Sequence, residues 1–574
     1  MNSFPPQTAE ELLSVLEKNG WDTTPFRRPL AAEQLQPGRD EGVGDAARGE
    51  GAGGGAGPGR GGAGHGQAAR SNSGPAAASA AAQGPAASPS PIHRPRVSDV
   101  VAVEALKAYG RIRPYVRCTP LEPSPWLEGL AGAAAAAQGT AAAVPAAGAA
   151  EGSTRSSGGA GGGGGSGGGG GSVALKLESE QHSGSFKARG AVNKLLSLPA
   201  LQLRSSAGGT GGVVAAGAGS GAGINTASTD GADTATTTTT VYTASTGNHA
   251  LAVLYACTAL QQQRERQLNG QGVEGAVDGR GSASGAPVAD EEEGEGEQAQ
   301  AAGGTLLVTP VLYVPQTASQ YKICKLRSLG ARLVLHGTDC LEAETAARAA
   351  AAAASAPAAA AAAAGCGGGG GAHGGGGGGS GGVYVSPYND VWVMAGQGTL
   401  ALELLAARRR GRLDAVLVPV GGGGLVAGVA AVLKAADPRI LVVGCQPAVS
   451  DVMARSVRAG AIQPEAAPLL PTLSDATAGG VEENSLTLQP CADCVDEWVC
   501  VSEQEIAEGL VGLLREQSKL VEGAAAVALA AYRRLAARLA GRHVVVVCCG
   551  GNISLESLRA AMELAGAGGA GQAD

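Results

Sequence analysis

Short β-branched runs alternate with helical patterns along this chain, and that alternation limits the fold more than any other feature. "VALKLE" (173–178), "TVYTAS" (240–245), "TLLVTPVLYVP" (305–315), "ARLVLHG" (331–337), "DAVLVPVG" (414–421), "ILVVGCQP" (440–447) and "HVVVVCCG" (543–550) predict buried strands. Between them, "FKARGAVNKLL" (186–196), "HALAVLYACTAL" (249–260), "YKICKLRSLG" (321–330), "TLALELLAARRR" (399–410), "LVAGVAAVLKAA" (425–436), "EQEIAEGLVGLLREQ" (503–517) and "AAAVALAAYRRLAARLA" (524–540) predict helices. Strand and helix in alternation imply an α/β fold with mainly parallel sheets. In such folds ligands bind beyond the carboxyl ends of the strands, at strand-to-helix loops.

The alternation is interrupted. Glycine makes up 95 of 574 residues and is clustered, with alanine, serine or threonine, in 41–90, 131–172, 205–238, 263–304 and 349–382. These tracts have almost no large apolar side chains to offset the entropy of ordering, so they read as flexible, low-complexity insertions. A collagen-like glycine period is absent from them. The blocks that remain, 93–130, 173–200, 239–262, 305–348 and 383–565, total about 300 residues, a size that suits a two-lobed enzyme. Ahead of them, "EELLSVLEKN" (10–19) suggests a short helix of unassigned purpose.

Net charge is −8 with no basic stripe, which argues against a nucleic-acid partner. No apolar run reaches the length that spans a membrane. No signal peptide is read at the start, so the thiols are expected reduced and the chain cytoplasmic, with an organelle left open. Cys491 and Cys494 form an isolated CxxC, weak as a zinc site without a second pair or a histidine, and no metal is expected.

Four junctions can carry chemistry. In "VPVGGGGLVAG" (418–428) a strand meets Gly421, Gly422, Gly423 and Gly424, and a helix begins near Leu425. Such a loop lets backbone N–H groups converge on an anion at a helix N-terminus, a phosphate cradle. It lacks the Lys-Ser/Thr ending of the nucleotide P-loop and is not GxGxxG. Its strong strand and helix flanks set it apart from the polyglycine tracts. "ASTGNHA" (244–250) offers Ser245, Thr246, Gly247, Asn248 and His249 after a strand. Alone it reads equally as an anion or ring-oxygen site and as a polar N-cap. Cys548 and Cys549 follow a third strand, as packed thiols, a redox pair or site residues. The fourth junction is "SGSFKARG" (183–190), where Lys187 follows Phe186. A lysine, a small polar loop, a phosphate cradle and a Cys-Gly-Gly-Asn loop match a cofactor with an aldehyde, a phosphate and a heteroaromatic ring, which is pyridoxal phosphate.

"SGSFKARGAVNKL", "ASTGNHA", "YVPQTA", "AGQGTLALELL", "VPVGGGGLVAG", "LVEGAAAVALAA" and "CCGGNIS" occur in one order. That order resembles the fold-type II pyridoxal-phosphate enzymes (tryptophan synthase β-like), in the threonine/serine dehydratase and serine racemase group. "SPYNDVWVMAGQGT" and "PTLSDATAGGVE" resemble the dehydratase branch more. The resemblance implies a division into an N-terminal extension, mostly disordered (1–92), a large domain in two parts (93–238 and 389–565), a small domain (239–388) and a tail (566–574). It implies that Lys187 bonds the cofactor covalently and acts as the base at the substrate Cα. Phe186 would pack on the pyridine ring and Asn248 would bond the ring hydroxyl. Gly421 to Gly424 and Leu425 would hold the phosphate, and Cys549 would face the ring nitrogen. Ser245, Thr246, Gly247 and His249 would hold the substrate carboxylate. The implied activity is ammonia-lyase chemistry on L-threonine or L-serine by a homodimer, giving 2-oxobutanoate or pyruvate plus ammonia. The alternative is a serine racemase with side eliminase activity.

Some positions depart from the family pattern. Serine is usual where Cys549 stands, and a neutral thiol there suits elimination. Thr246 supplies the hydroxyl that racemases use as a second acid/base, or else it only shapes the loop. The two carboxylates of the racemase metal site fall on Gln446 and Val452, which argues against that site. With Asn552 close to the end, no C-terminal regulatory domain and no isoleucine feedback are expected.

Overall fold

A computed structural model describes residues 6–27, 96–141, 171–198, 237–245, 247–268, 306–318, 320–338, 340–355, 381–466, 468 and 470–569. The chain first forms α1 (Ala9–Lys18), α2 (Val97–Ile112), β1 (Leu121–Pro123), α3 (Pro125–Ala141), β2 (Ser172–Leu177) and α4 (Lys187–Leu196). It continues through β3 (Thr237–Ala244), α5 (Asn248–Leu268), β4 (Leu306–Val314), α6 (Gln320–Ser328), β5 (Arg332–Leu335), α7 (Cys340–Ser355) and β6 (Gly381–Tyr384). Then come α8 (Val391–Ala407), β7 (Ala415–Pro419), α9 (Gly424–Ala436), β8 (Leu441–Pro447), α10 (Val452–Ala459) and α11 (Leu488–Cys494). The last elements are β9 (Glu497–Val501), α12 (Glu503–Gln517), α13 (Gly523–Leu535), β10 (His543–Cys548) and α14 (Leu555–Gly569).

The strands form two sheets. One has six strands in the order β1-β2-β10-β7-β8-β9, the other four in the order β5-β4-β3-β6. Every pairing is parallel except β1 with β2. The seven strands read from the sequence are all present. β1, β6 and β9 were not read: β1 has three residues, β6 is "GGVY" at the edge of a glycine tract, and β9 is the mixed run "EWVCV".

Two alanine-rich stretches read as the starts of insertions are helical. α3 runs on to Ala141 and α7 to Ser355, past the starts predicted for two insertions. Alanine has the highest helix propensity, which suits it to extend a packed helix. The remainder of the predicted insertions, and most of 1–92, lie outside the described residues.

All five residues of β7 are buried, and the helices packed on it are α9 and α13. A second apolar cluster joins Ala191, Val192 and Leu195 of α4 to Val241 of β3 and to Ala252, Val253 and Ala256 of α5. α4 also packs on α8. Lys187, its first residue, therefore stands at the seam between the two sheets.

Residues 6–27 pack on the core and cap α8. Thr8 and Glu11 close a capping box at the start of α1, and Leu12 and Leu16 are fully buried. Trp21 Nε1 donates to the carbonyls of Leu405 and Arg408, at 2.8 and 2.9 Å, and Asn19 Nδ2 donates to Ala406 O at 2.9 Å. These donors satisfy the last carbonyls of α8, which have no partner within their own helix.

Candidate active site

The predicted site residues come from four strand ends. β3 leads into Ser245 and the start of α5, β7 into the glycine loop, and β10 into Cys549. The 178–186 loop after β2 ends at Lys187, where Ser185 makes an antiparallel bridge to Gly550 and Phe186 N donates to Cys549 O at 3.1 Å. The loops that follow β2 and β10 are thereby held side by side.

Lys187 Nζ donates to Pro387 O at 2.7 Å and lies 5.1 Å from the centre of the Phe186 ring. Desolvation pushes its ammonium down to about 8, against the opposing pull of Cys549 and Glu522. Cys549 is buried, and that burial holds its thiol well above the usual range, so it is neutral. The buried Ser185 hydroxyl has no hydrogen-bond partner among the described residues.

The glycine loop is close-fitted. A Cβ on Gly422 would lie 2.6 Å from the Tyr388 ring, and one on Gly424 would lie 2.8 Å from Tyr388 Cα. Gly423 has φ +87° and serves as N-cap of α9, a left-handed conformation that favours glycine. Leu425 is buried in the first turn of α9. Because Pro387 precedes Tyr388, one short segment touches both the glycine loop and the Lys187 ammonium.

On the other side, Asn248 is buried and donates from Nδ2 to Glu522 Oε1 at 2.7 Å, while its Oδ1 accepts from Asn552 Nδ2 at 2.8 Å. Burial raises the Glu522 carboxyl to about 7, and the Asn248 bond only partly offsets this. A Cβ on Gly550 would lie 2.3 Å from Glu522 Oε1, so glycine is needed for this close approach. His249 bonds Val385 O through Nε2 at 2.9 Å, and burial, helped by Lys187, pushes its imidazole down to about 3. Gly247 N donates to Ser245 Oγ at 3.2 Å. Thr246 lies outside the described residues.

The structure thus brings Phe186, Lys187, Ser245, Asn248, His249, the glycine loop and Cys549 to one place. It adds Glu522, Asn552, Pro387, Tyr388 and Ser185. Glu522 had one visible signal, a single acid ahead of the apolar helix "GAAAVALAA". Of the two positions where a racemase would place metal ligands, Gln446 accepts from Ala454 N at 2.8 Å and Val452 is buried.

Beneath the site runs a buried ion network. Arg189, two residues after Lys187, bonds Glu178 Oε2 through Nε at 2.8 Å and Glu403 Oε1 through Nη1 at 2.7 Å. Lys176 Nζ pairs with the same Glu403. All four side chains are buried, and the network ties α4 to α8 and β2.

The chain is similar to known proteins. The family described as pyridoxal-phosphate dependent enzyme matches residues 296–550, a span that includes the glycine loop, Glu522 and Cys549. The L-threonine ammonia-lyase of Thermotoga maritima is 33% identical over 284 residues, which is 48% of this chain and 63% of that protein. The chain spans less than two thirds of that relative. The catabolic L-threonine dehydratase TdcB of Escherichia coli K12 is 28% identical over 385 residues, 67% of this chain and 83% of that protein. The processed form of threonine deaminase isoform 2 from Solanum lycopersicum has a TM-score of 0.51 at 21% identity, covering 82% of this chain and 88% of that one, and it bears on the fold alone. With the fold and the site on the page, these matches make the chain similar to the pyridoxal-phosphate dependent enzymes, the threonine ammonia-lyases and dehydratases among them.

Proposed function

We propose that the chain is an L-threonine/L-serine ammonia-lyase that uses pyridoxal 5′-phosphate. The observation that carries this reading is Lys187, a desolvated amine between a glycine loop and a buried carboxyl, at the seam of two sheets. The residues fit the cofactor. Gly421 to Gly424 and Leu425 offer backbone N–H groups at the start of α9 for its phosphate, and Ser185 offers a hydroxyl without a partner among the described residues. Phe186 gives a flat apolar surface, Asn248 an amide for the ring hydroxyl, and Cys549 a neutral partner for the ring nitrogen.

When bound, the cofactor supplies a reactive carbonyl carbon and an electron-accepting ring. Lys187 would hold it covalently. An amine titrating near 8 is about one tenth neutral at pH 7, enough to act as nucleophile and then as base. The free Lys187 Nζ would then take the Cα proton. Ser245, Thr246, Gly247 and a neutral His249 hold the substrate carboxylate and so direct that proton toward Lys187. The β-hydroxyl would leave as water, its extra proton balanced by the one lost from Cα. Hydrolysis then releases ammonia and 2-oxobutanoate from threonine, or pyruvate from serine.

The test is oxo-acid release from L-threonine, L-serine, D-serine and 3-hydroxyaspartate. Oxo acid from the first two is expected, and none from either overturns the reading. Lys187→Ala abolishes turnover, so activity like wild type in that variant also overturns it. The hydroxyl of Thr246 favours a second reading, a serine racemase with side eliminase activity. D-serine forming faster than pyruvate, by chiral analysis, selects that one.

A further inference from the structure

Tyr388 and Asn389 sit between the two sheets, and a cluster of charges holds them there. Arg348 lies on α7, which packs on β3, β4 and β6 of the four-stranded sheet. Its guanidinium covers the Tyr384 ring, with Cζ 4.3 Å from the ring centre. Its Nη2 donates to Glu344 Oε1 at 2.7 Å and makes an ion pair with Glu482 Oε1 at 2.8 Å. The Tyr384 hydroxyl donates to the same Glu344 oxygen at 2.9 Å. Glu344, Arg348 and Tyr384 all belong to the four-stranded side.

Glu482 belongs to the loop before α11, which packs on α9 and α2 of the other side. Its Oε2 accepts from Asn389 Nδ2 at 2.8 Å, and its backbone N–H donates to the Tyr388 hydroxyl at 3.0 Å. Asn389 Oδ1 in turn accepts from Leu486 N at 2.8 Å. One residue further on, Thr487 Oγ1 donates to Gly422 O at 2.8 Å. The Tyr388 ring fills the space against Gly422, and its backbone fills the space against Gly424.

We propose that Arg348, Glu482 and Tyr388 form a latch between the two sheets that sets the shape of the glycine loop and so its grip on a phosphate ester. Arg348 is a positioning residue: it acts through Glu482 and Tyr388 and does not meet the ligand. The physical case is continuity. Each link is a direct contact, and the last one is the surface that glycine alone can approach. Isolated exposed ion pairs contribute little, but this one bridges two carboxylates, stacks on a ring and shares the Glu344 oxygen with the Tyr384 hydroxyl. The latch rests on the assignment of the glycine loop to the cofactor phosphate.

The test measures equilibrium binding of two aldehydes to the full chain freed of cofactor, pyridoxal 5′-phosphate and pyridoxal, which lacks the phosphate. The readout is absorbance or tryptophan fluorescence rather than turnover. Wild type is expected to favour the phosphorylated aldehyde strongly. Arg348→Ala is expected to weaken pyridoxal 5′-phosphate binding about tenfold and pyridoxal binding less than twofold, with Arg348→Lys between. Tyr388→Phe removes only the hydroxyl that Glu482 N meets. It is expected to weaken the phosphorylated ligand about threefold, and it decides the matter should Arg348→Ala fail to fold. Wild-type discrimination kept intact in the folded variants overturns the latch alone. Equal weakening of both aldehydes also overturns it. A wild-type chain that does not distinguish the two aldehydes overturns the phosphate assignment and the latch with it.

Discussion

Two buried carboxylates bear on the helix that begins at Lys187, and their surroundings push them in opposite directions. Glu403 and Glu522 are about equally hidden, 6% and 5% exposed. Burial raises both. At Glu403 the charges of Arg189 and Lys176 overcome that effect and hold the carboxyl at about 2. Glu522 has the Asn248 amide as its close partner, and its carboxyl settles at about 7. The same side chain at the same depth is in one case a fixed charge and in the other a group that changes charge near neutrality. Partners, more than depth, decide whether a buried acid anchors a fold or exchanges a proton.

Four experiments break or sharpen this contrast. Glu403→Ala leaves Arg189 and Lys176 buried without their shared partner and is expected to cost about 3–5 kcal/mol in urea unfolding. The loss should be the same at pH 6 and 8, because the contribution of Glu403 is complete above its ordinary 4.5 and fades only as pH falls toward 2. A loss under about 1 kcal/mol removes the anchor from the comparison.

Glu522 carries the opposite sign. Its carboxyl is raised from 4.5 to about 7, so its contribution is complete below 4.5 and is lost as pH rises to 7. In the cofactor-free chain this amounts to at most about 3 kcal/mol, and Glu522→Gln should remove that slope from urea unfolding measured across the window. A slope that persists in the variant shows that Glu522 is not its source.

Smaller effects follow at the neighbours. Asn248→Ala removes the hydrogen bond that lowers Glu522, so it should cost about 1–2 kcal/mol and carry the slope above pH 7. Smallest is the effect on Lys187. Its capture of a reducible aldehyde, trapped with borohydride and followed by mass spectrometry, should be half-maximal near pH 8. Glu522 opposes the desolvation of Lys187, so Glu522→Gln should move that midpoint lower, and an upward shift contradicts the assigned sign.

The sequence made one side of this contrast more legible than the other. Strand, four glycines and helix at 415–436 form a local pattern, and Lys187 stands in a recognisable motif. Arg189 lies in the same motif, but nothing local reveals that it meets Glu403, 214 positions later. Glu522 lies 274 positions from Asn248 and shows as one acid before an apolar helix. Arg348 sits in an alanine run that reads as the edge of an insertion. β6 was hidden because two of its four residues are glycine, which carries no strand signal. Local patterns report propensity and amphipathicity, whereas these contacts depend on which distant elements the topology brings together.

The cap at the end of α8 has a consequence for how the chain is made. Trp21 and Asn19 leave the ribosome early, yet their acceptors at Leu405, Ala406 and Arg408 are synthesised some 384 to 387 residues later. A contact of that separation closes a very long loop and belongs among the last to form. Until then the terminal carbonyls of α8 wait for their donors, while α1 has only α2 to pack on. A nascent chain halted before residue 400 would therefore leave part of the Leu12 and Leu16 face open to chaperones.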